Sequence, residues 1–258
     1  MKNYKRILIM GLPGSGKTTL ARKVSKELNL EWLNADKIRG TYNDWDFSNK
    51  GIIRQVTRMR DLADKSKKKI VLADFVCPLK KQMEIFNPDY VVWMDTIKKG
   101  RFPSMNKIFK IPKRFDLKVT SKDANLWKIP IVDKFKKYKW NNRAETGQML
   151  GRFQPFHLGH KNIFFEILKK KGQVYIMVKD VYNIGDNPFK FKDIKKKFLE
   201  ELKPFKSRFR ILSVPNISNI YYGRTVGYKF TKINLEKKLT TISGTKIRKH
   251  LRKIGKLK

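Results

Sequence analysis

Residues 11 to 18 read Gly11-Leu12-Pro13-Gly14-Ser15-Gly16-Lys17-Thr18 and match the P-loop pattern G-x-x-x-x-G-K-[ST] at every fixed position. The apolar run Ile7-Leu8-Ile9-Met10 stands directly before them and the helix-favouring Thr19-Leu20-Ala21-Arg22-Lys23-Val24 directly after, which is the strand-loop-helix context the pattern requires. Glycines let backbone N–H groups turn inward on a phosphate chain. Gly11, Gly14, Ser15, Gly16 and Thr19 are therefore expected to line a nucleotide, with Lys17 reaching the β- and γ-phosphates and Thr18 holding Mg²⁺. A nucleoside triphosphate is the natural ligand, and the loop by itself does not say where its phosphate goes.

Downstream, Glu31-Trp32-Leu33 reads as a short strand ending in Asn34-Ala35-Asp36-Lys37-Ile38-Arg39. A carboxylate and an arginine three residues apart at a strand's C-terminal end lie where open α/β sheets place their chemistry. Asp36 is thus a candidate to orient or deprotonate an acceptor hydroxyl, and Arg39 to pair with an acceptor phosphate; a helix cap followed by a surface arginine is the plainer alternative. Residues 49 to 66 carry Ile52, Ile53, Val56, Met59, Leu62 and Ala63 at helical spacing, with Arg54 and Arg58 one turn apart. The run Ile70-Val71-Leu72-Ala73-Asp74 reads as a buried parallel strand ending in a carboxylate, so Asp74 is a candidate to hold Mg²⁺ through water. Tyr90-Val91-Val92-Trp93-Met94-Asp95 is a further strand. Strand and helix alternate, which predicts a parallel, doubly wound sheet.

The chain has 258 residues, 40% of them hydrophobic, enough for two small domains with full cores. One cysteine, Cys77, excludes an intrachain disulfide, and no Cys/His cluster has zinc-site spacing. No apolar run approaches the roughly 20 residues of a membrane span, so the expectation is a cytoplasmic protein with no membrane partner. Sixty-one Lys and Arg against 22 Asp and Glu give a net charge of +39. That excess leaves nucleic acid open as a partner. It is also spread along the whole chain, as in Lys67-Lys68-Lys69, Lys169-Lys170-Lys171 and Lys195-Lys196-Lys197, as a coding bias toward lysine would produce. Either way the field attracts small anionic metabolites, more weakly as salt rises.

Taken together, Gly11 to Leu20, the Asn34-Ala35-Asp36-x-x-Arg39 block, Phe47-Ser48, the arginine-rich helix and Ala73-Asp74-Phe75-Val76-Cys77-Pro78 resemble adenylylsulfate kinase over roughly residues 5 to 120. The resemblance implies ATP-dependent, Mg²⁺-assisted phosphorylation of the ribose 3′-hydroxyl of adenosine 5′-phosphosulfate or a small anionic substrate like it. By it Asp36 serves the acceptor hydroxyl, Arg39 and Arg58 grip the acceptor's anionic groups, and Phe47 stacks on its adenine. Two departures stand out: Gly51-Ile52 replaces the family's usual Asp-Arg pair, and Cys77 replaces a serine before the proline.

The basic, polar stretch at 134–145 has no clean period and suits a linker between a first domain at 1–133 and a second at 146–258. There the pattern restarts, with a strand signal at Thr146–Gly151, then Arg152-Phe153-Gln154-Pro155-Phe156-His157-Leu158-Gly159-His160 and an amphipathic helix carrying Ile163, Phe164, Ile167 and Leu168. Two histidines in an H-x-G-H at a strand-to-helix junction are suited to hydrogen-bond a phosphate and stabilise charge on leaving pyrophosphate. Near the other end, Ile242-Ser243-Gly244-Thr245-Lys246-Ile247-Arg248 opens a last helix with hydroxyls and an arginine, a phosphate site by its physics. Gly223 and Arg224, framed by aromatics, are candidates for a base- or acceptor-binding wall, an aromatic hairpin being the equal alternative.

Both signatures resemble the nucleotidyltransferase superfamily, in its nicotinamide-nucleotide adenylyltransferase and cytidylyltransferase branch, over about residues 146 to 255. The resemblance implies that Gly151, Phe153, His157, Gly159 and His160, with Ser243, Thr245 and Arg248, bind the triphosphate of ATP or CTP, while a phosphate of an acceptor like nicotinamide mononucleotide attacks its α-phosphorus. The expected fold is α/β: two doubly wound parallel-sheet domains, a P-loop kinase followed by a Rossmann-like nucleotidyltransferase. The expected function is a bifunctional transferase. A nucleic-acid end-processing enzyme, or one active half with a nucleotide-binding regulatory half, stays open beside it, as does an oligomeric state.

Overall fold

The computed structural model describes residues 4–221, 223, 227, 229–234 and 242–257. The chain divides into two compact units, Met1–Lys137 and Tyr138–Lys258.

In the first unit the elements follow in the order β1 (Arg6–Gly11), α1 (Lys17–Leu28), β2 (Glu31–Asn34), α2 (Ala35–Thr41), α3 (Asn49–Lys65), β3 (Val71–Phe75), α4 (Lys80–Phe86), β4 (Tyr90–Met94), α5 (Pro103–Ile108), β5 (Leu117–Val119) and α6 (Ala124–Lys136). Five parallel strands form one sheet in the order β2-β3-β1-β4-β5. Every residue of β3 and β4 is buried, as are all but the first of β1. These strands are continuously apolar rather than alternating because helices cover both faces of the sheet. The chain winds from β1 to β2 and back to β3 on one side, then crosses to β4 on the other. The crevice that open α/β sheets use for ligands therefore lies above the C-terminal ends of β1 and β3.

Helix α3 starts at Ser48, whose hydroxyl accepts from Gly51 N at 3.2 Å, and buries Ile52, Val56, Met59 and Ala63 in the core. Gly51, the first departure noted from the kinase pattern, has a structural reason. A Cβ there would come within 2.3 Å of the Asp46 carbonyl oxygen, so only glycine lets the loop before α3 fold down on its first turn.

The stretch expected as a linker at 134–145 begins inside a helix. Helix α6 continues through Lys136 and stops at Lys137, which takes a left-handed conformation with its N–H on Asp133 O. The run of lysines hides a packed side chain: Phe135 meets Tyr4 and Tyr90 edge-on, with ring centroids 5.4 and 5.5 Å apart. The remainder is tied to the second unit. Gln173, almost wholly buried, accepts from Tyr138 Oη at 2.9 Å and donates to Asn141 O at 2.8 Å and to Thr146 Oγ1 at 2.6 Å.

The second unit comprises β6 (Gly147–Gly151), α7 (Leu158–Lys171), β7 (Val174–Lys179), α8 (Phe191–Glu201), a tight 3-10 stretch at Lys203–Arg208, β8 (Phe209–Val214) and α9 (Gly244–Lys253). Its three parallel strands lie in the simple order β6-β7-β8. Among the described residues no strand returns across β6, so the second doubly wound sheet expected from the sequence is not shown there. Consecutive right-handed crossovers land on the same face of a sheet. That accounts for β7, whose residues alternate between buried and half-buried instead of being buried throughout. Phe164, Leu168, Phe198 and Phe205 are almost wholly buried in this unit, and Phe164 meets Phe209 of β8 edge-on at 5.6 Å.

Replacing Gly51 with alanine should destabilise the protein by about 1–3 kcal/mol, the usual penalty for forcing atoms into a filled site. Thermal or urea melts would show it, and an unchanged midpoint would mean that the loop at 44–48 has another place to go.

Candidate functional site

The phosphate-binding loop leaves β1 at Gly11 and enters α1 through Gly16, whose φ of 94° is open to glycine and strained for other residues. No side chain caps α1. In contrast, Asn34 Oδ1 caps α2 and Ser48 caps α3. The first N–H groups of α1 are thus left for an anion. Around them, Ser15 is buried and its carbonyl accepts from Thr96 Oγ1 at 2.7 Å, which pins the loop to the end of β4, while Thr19 and Gly14 are exposed. Lys17 Nζ reaches back across the loop to Leu12 O at 3.1 Å. Burial pulls its pKa down to about 8, against the opposing pull of Asp74 and then Asp36.

Asp74, next to last in β3, is 2% exposed and accepts three hydrogen bonds. Thr18 Oγ1 donates to its Oδ2 at 2.9 Å, and Trp32 Nε1 and Asn34 Nδ2 donate to its Oδ1 at 2.7 and 3.0 Å. Thr18 and Asp74, each singled out in its own motif as a candidate to hold Mg²⁺, are hydrogen-bonded to one another. Trp32 and Asn34 were not singled out as site residues. The available signal was their spacing: two residues apart on β2 they share a face, and the sheet register sets Asn34 beside Asp74.

On the acceptor side, Asp36 stands exposed in the first turn of α2, close enough to Lys17 and Arg39 to influence both. Arg39 is buried and donates from Nη1 to the carbonyls of Asp44 and Asp46 at 2.8 and 3.0 Å. Asp44, unmarked in the sequence, organises this side. It accepts from Arg54 at 2.7 and 2.8 Å and from Arg58 at 2.9 Å, and these bonds, Arg54's foremost, hold its carboxyl well below the usual range. Arg39 and Arg58, expected to grip an acceptor, are thus already engaged with the 44–46 loop. Phe47 is 57% exposed with the Arg39 guanidinium 4.7 Å above its ring, and Tyr42 is covered in the same way by Arg58 at 4.2 Å. The structure leaves an aromatic and cationic surface at the end of α2.

In the second unit, the histidines of H-x-G-H close the start of α7 reciprocally. Gly159 N donates to His157 Nδ1 at 3.2 Å, and His157 N donates to His160 Nδ1 at 3.3 Å, with the imidazoles stacked 3.8 Å apart. Each Nδ1 accepts, so each neutral ring carries its proton on Nε2. Burial lowers both pKa values, that of His160 to about 3 with His157 adding to the effect. The pair therefore presents neutral N–H donors at neutral pH.

Other predicted residues there have different places. Phe153 is buried with its ring edge-on to His160 and to Phe198, both at 5.0 Å, so it supports the histidine as part of the core and its ring is not open to a nucleotide. Gly151 is where that ring fits, since a Cβ would meet it at 2.9 Å. Ser243 caps α9, accepting from Lys246 N at 3.2 Å. Arg248, 9% exposed, donates to Asp186 at 2.8 Å, to Thr245 Oγ1 at 3.2 Å and to the Gln154 carbonyl. It joins α9 to the loops after β6 and β7 instead of projecting freely. Gly223 is exposed with open space around it, and Arg224 lies outside the described residues. Among the described residues no helix is long and apolar enough to cross a membrane.

The first unit is an α/β P-loop domain with a nucleotide-phosphate cradle at the head of its sheet. In agreement, a sequence-family model described as an AAA domain matches residues 7–82. None of the curated proteins matches the chain. Among solved structures, the Mycobacterium tuberculosis APS kinase in complex with AMPPNP and APS is 18% identical with a TM-score of 0.45, over 53% of this chain and 99% of that one. The shikimate kinase from Acinetobacter baumannii in complex with shikimate is 16% identical, TM-score 0.39, over 52% and 94%. A gluconokinase from Sinorhizobium meliloti 1021 is 12% identical, TM-score 0.35, over 46% and 83%.

Two pH effects follow. An anion binds the charged form of Lys17, so triphosphate affinity should fall as pH rises above about 8, approaching about tenfold per pH unit for one proton; titration calorimetry would show it, and Lys17→Gln should lose the dependence. His160 binds its proton near 6.5 when unfolded and near 3 when folded. The unfolded chain therefore holds the extra proton between these values, and stability present above about pH 6.5 is lost as pH falls toward 3. His160→Asn should flatten the thermal midpoint over that window.

Proposed function

We propose that the chain is a bifunctional transferase whose first unit is an ATP-dependent kinase acting on a hydroxyl of a small anionic acceptor. The observation that carries the kinase reading is the contact of Thr18 with Asp74 beside an uncapped helix, with Asp36 on the acceptor side of the loop. In this reading the N–H groups of the loop and of α1 hold the β- and γ-phosphates, and Lys17 follows the γ-phosphoryl group with its charge. Asp36 takes the proton of the acceptor hydroxyl as that oxygen bonds to the γ-phosphorus, while the bond from phosphorus to the β-bridging oxygen breaks and ADP leaves. Thr18 and Asp74 offer two oxygen ligands suited to Mg²⁺. When bound, that ion neutralises charge on the phosphates. Phe47 and Tyr42, with the arginines above them, form the surface against which the acceptor is oriented.

The second unit is read as a nucleotidyltransferase, favoured by the paired neutral histidines at the N-terminus of α7. Their Nε2–H groups donate to phosphate oxygens of ATP or CTP as an acceptor phosphate attacks the α-phosphorus and pyrophosphate departs. No proton transfer to either ring is required, which suits imidazoles that remain neutral. The domain boundaries that accompany this reading are residues 1–137 for the kinase and 138–258 for the transferase.

The direct test incubates the protein with Mg²⁺ and ATP or CTP and a panel of adenylylsulfate, nicotinamide mononucleotide, phosphorylated alcohols and an oligonucleotide, with products identified by mass. Lys17→Ala should abolish phosphoryl transfer and leave pyrophosphate release intact, and His160→Ala the reverse. A kinase product that survives Lys17→Ala would refute the first assignment, and pyrophosphate release that survives His160→Ala the second.

A further inference from the structure

The three donors to Asp74 are distributed unevenly. Oδ1 receives both Trp32 Nε1 at 2.7 Å and Asn34 Nδ2 at 3.0 Å, which use the lone pairs of that oxygen. Oδ2 receives, among the described residues, Thr18 Oγ1 alone, at 2.9 Å, and so keeps a lone pair free of these donors. An indole N–H only donates and is held by a rigid bicyclic ring, so it cannot turn to serve as an acceptor. Asn34 is equally constrained, since its Oδ1 caps α2 by accepting from Lys37 N at 3.0 Å, which points its amide nitrogen at Asp74. Trp32 and Asn34 thus fix the rotation of the carboxylate that Thr18 meets.

A cation fits this pair of oxygens. Mg²⁺ is taken up through one or two protein oxygens together with substrate phosphates and waters, rather than by an all-protein cage. Among the described residues no group of three or more His, Cys, Asp or Glu side chains forms such a cage. Groups behind a ligand carboxylate orient it and tune its affinity for metal.

We propose that Trp32 is a positioning residue for a divalent cation held at Thr18 and Asp74, and that its indole reports the arrival of that cation. This rests on the nucleotide-binding reading of the first unit. The indole N–H holds Oδ1 back, so Oδ2 meets the cation without a rotation of the carboxyl group. When a cation draws charge from Asp74, the bond to the indole weakens and the surroundings of the ring become less negative. Tryptophan emission should change with the cation as a result.

The experiment uses the full chain, a non-hydrolysable ATP analogue and Mg²⁺. Trp32→Phe keeps the apolar body of the side chain and removes its N–H. The Mg²⁺ concentration giving half-maximal analogue binding should rise about tenfold or more, the usual consequence of losing a group behind a metal ligand. Analogue binding without Mg²⁺ should be nearly unchanged. In the wild type, adding Mg²⁺ to the analogue complex should shift tryptophan emission, and Trp32→Phe should abolish that shift although Trp45, Trp93, Trp127 and Trp140 remain. If Trp32→Phe fails to fold, Asn34→Ser, which keeps a helix-capping hydroxyl and removes the second donor, should raise the Mg²⁺ requirement in the same direction, with the wild-type emission shift as companion evidence. An unchanged Mg²⁺ requirement in a folded variant that still binds the analogue overturns the role of Trp32 alone. A wild type that binds no analogue with or without Mg²⁺ overturns the nucleotide reading and this proposal with it.

Discussion

The first unit depends on the burial of β1 between two parallel neighbours. Ile7, Leu8 and Ile9 are wholly removed from solvent, and β1 pairs with β3 on one side and β4 on the other. Peptide groups buried this deeply must all find partners, and a central parallel strand covered on both faces satisfies them. Once β1 is central, its C-terminal end is the only exit for the glycine-rich loop. The same register sets Asp74 beside Ile9, two residues before the glycine-rich loop, and Asn34 beside Asp74. The Thr18 to Asp74 contact follows from sheet register, not from any local preference of either residue.

Charge is handled differently from what the +39 net balance suggests. Arg39, Arg54 and Arg58 converge on one short loop, where Asp44 and Asp46 provide carboxylates and carbonyls for them. Arg248 and Arg252 likewise converge on Asp186. A guanidinium that is partly desolvated has to be satisfied by fixed acceptors. Few acids in the chain are placed where they satisfy several arginines each. An acceptor that engages these arginines must either share their remaining N–H groups or displace part of an existing network.

The two units use their parallel strands to different ends. In the first, the crossover from β3 past β1 to β4 makes a crevice. In the second, the order β6-β7-β8 runs one way, and the two histidines are held at the start of α7 by hydrogen bonds among its own first residues. There Phe153 and Phe156, read as part of a nucleotide motif, pack around His160 and Phe198 and give the imidazole its dry surroundings.

The sequence by itself determined what depends on local order: the phosphate loop with its flanking strand and helix, the core stripe of α3, the carboxylate near the end of β3 and the H-x-G-H at a strand-to-helix turn. In each, the spacing of residue types sets backbone conformation over a few positions. Tertiary structure alone decided which distant groups meet. Trp32 behind Asp74, Asp44 beneath two arginines, Gly51 against the Asp46 carbonyl and Phe135 within a run of lysines all arise from contacts between segments whose approach is set by sheet register and core packing. No short window of sequence records that approach, because its cause is the burial of the whole sheet.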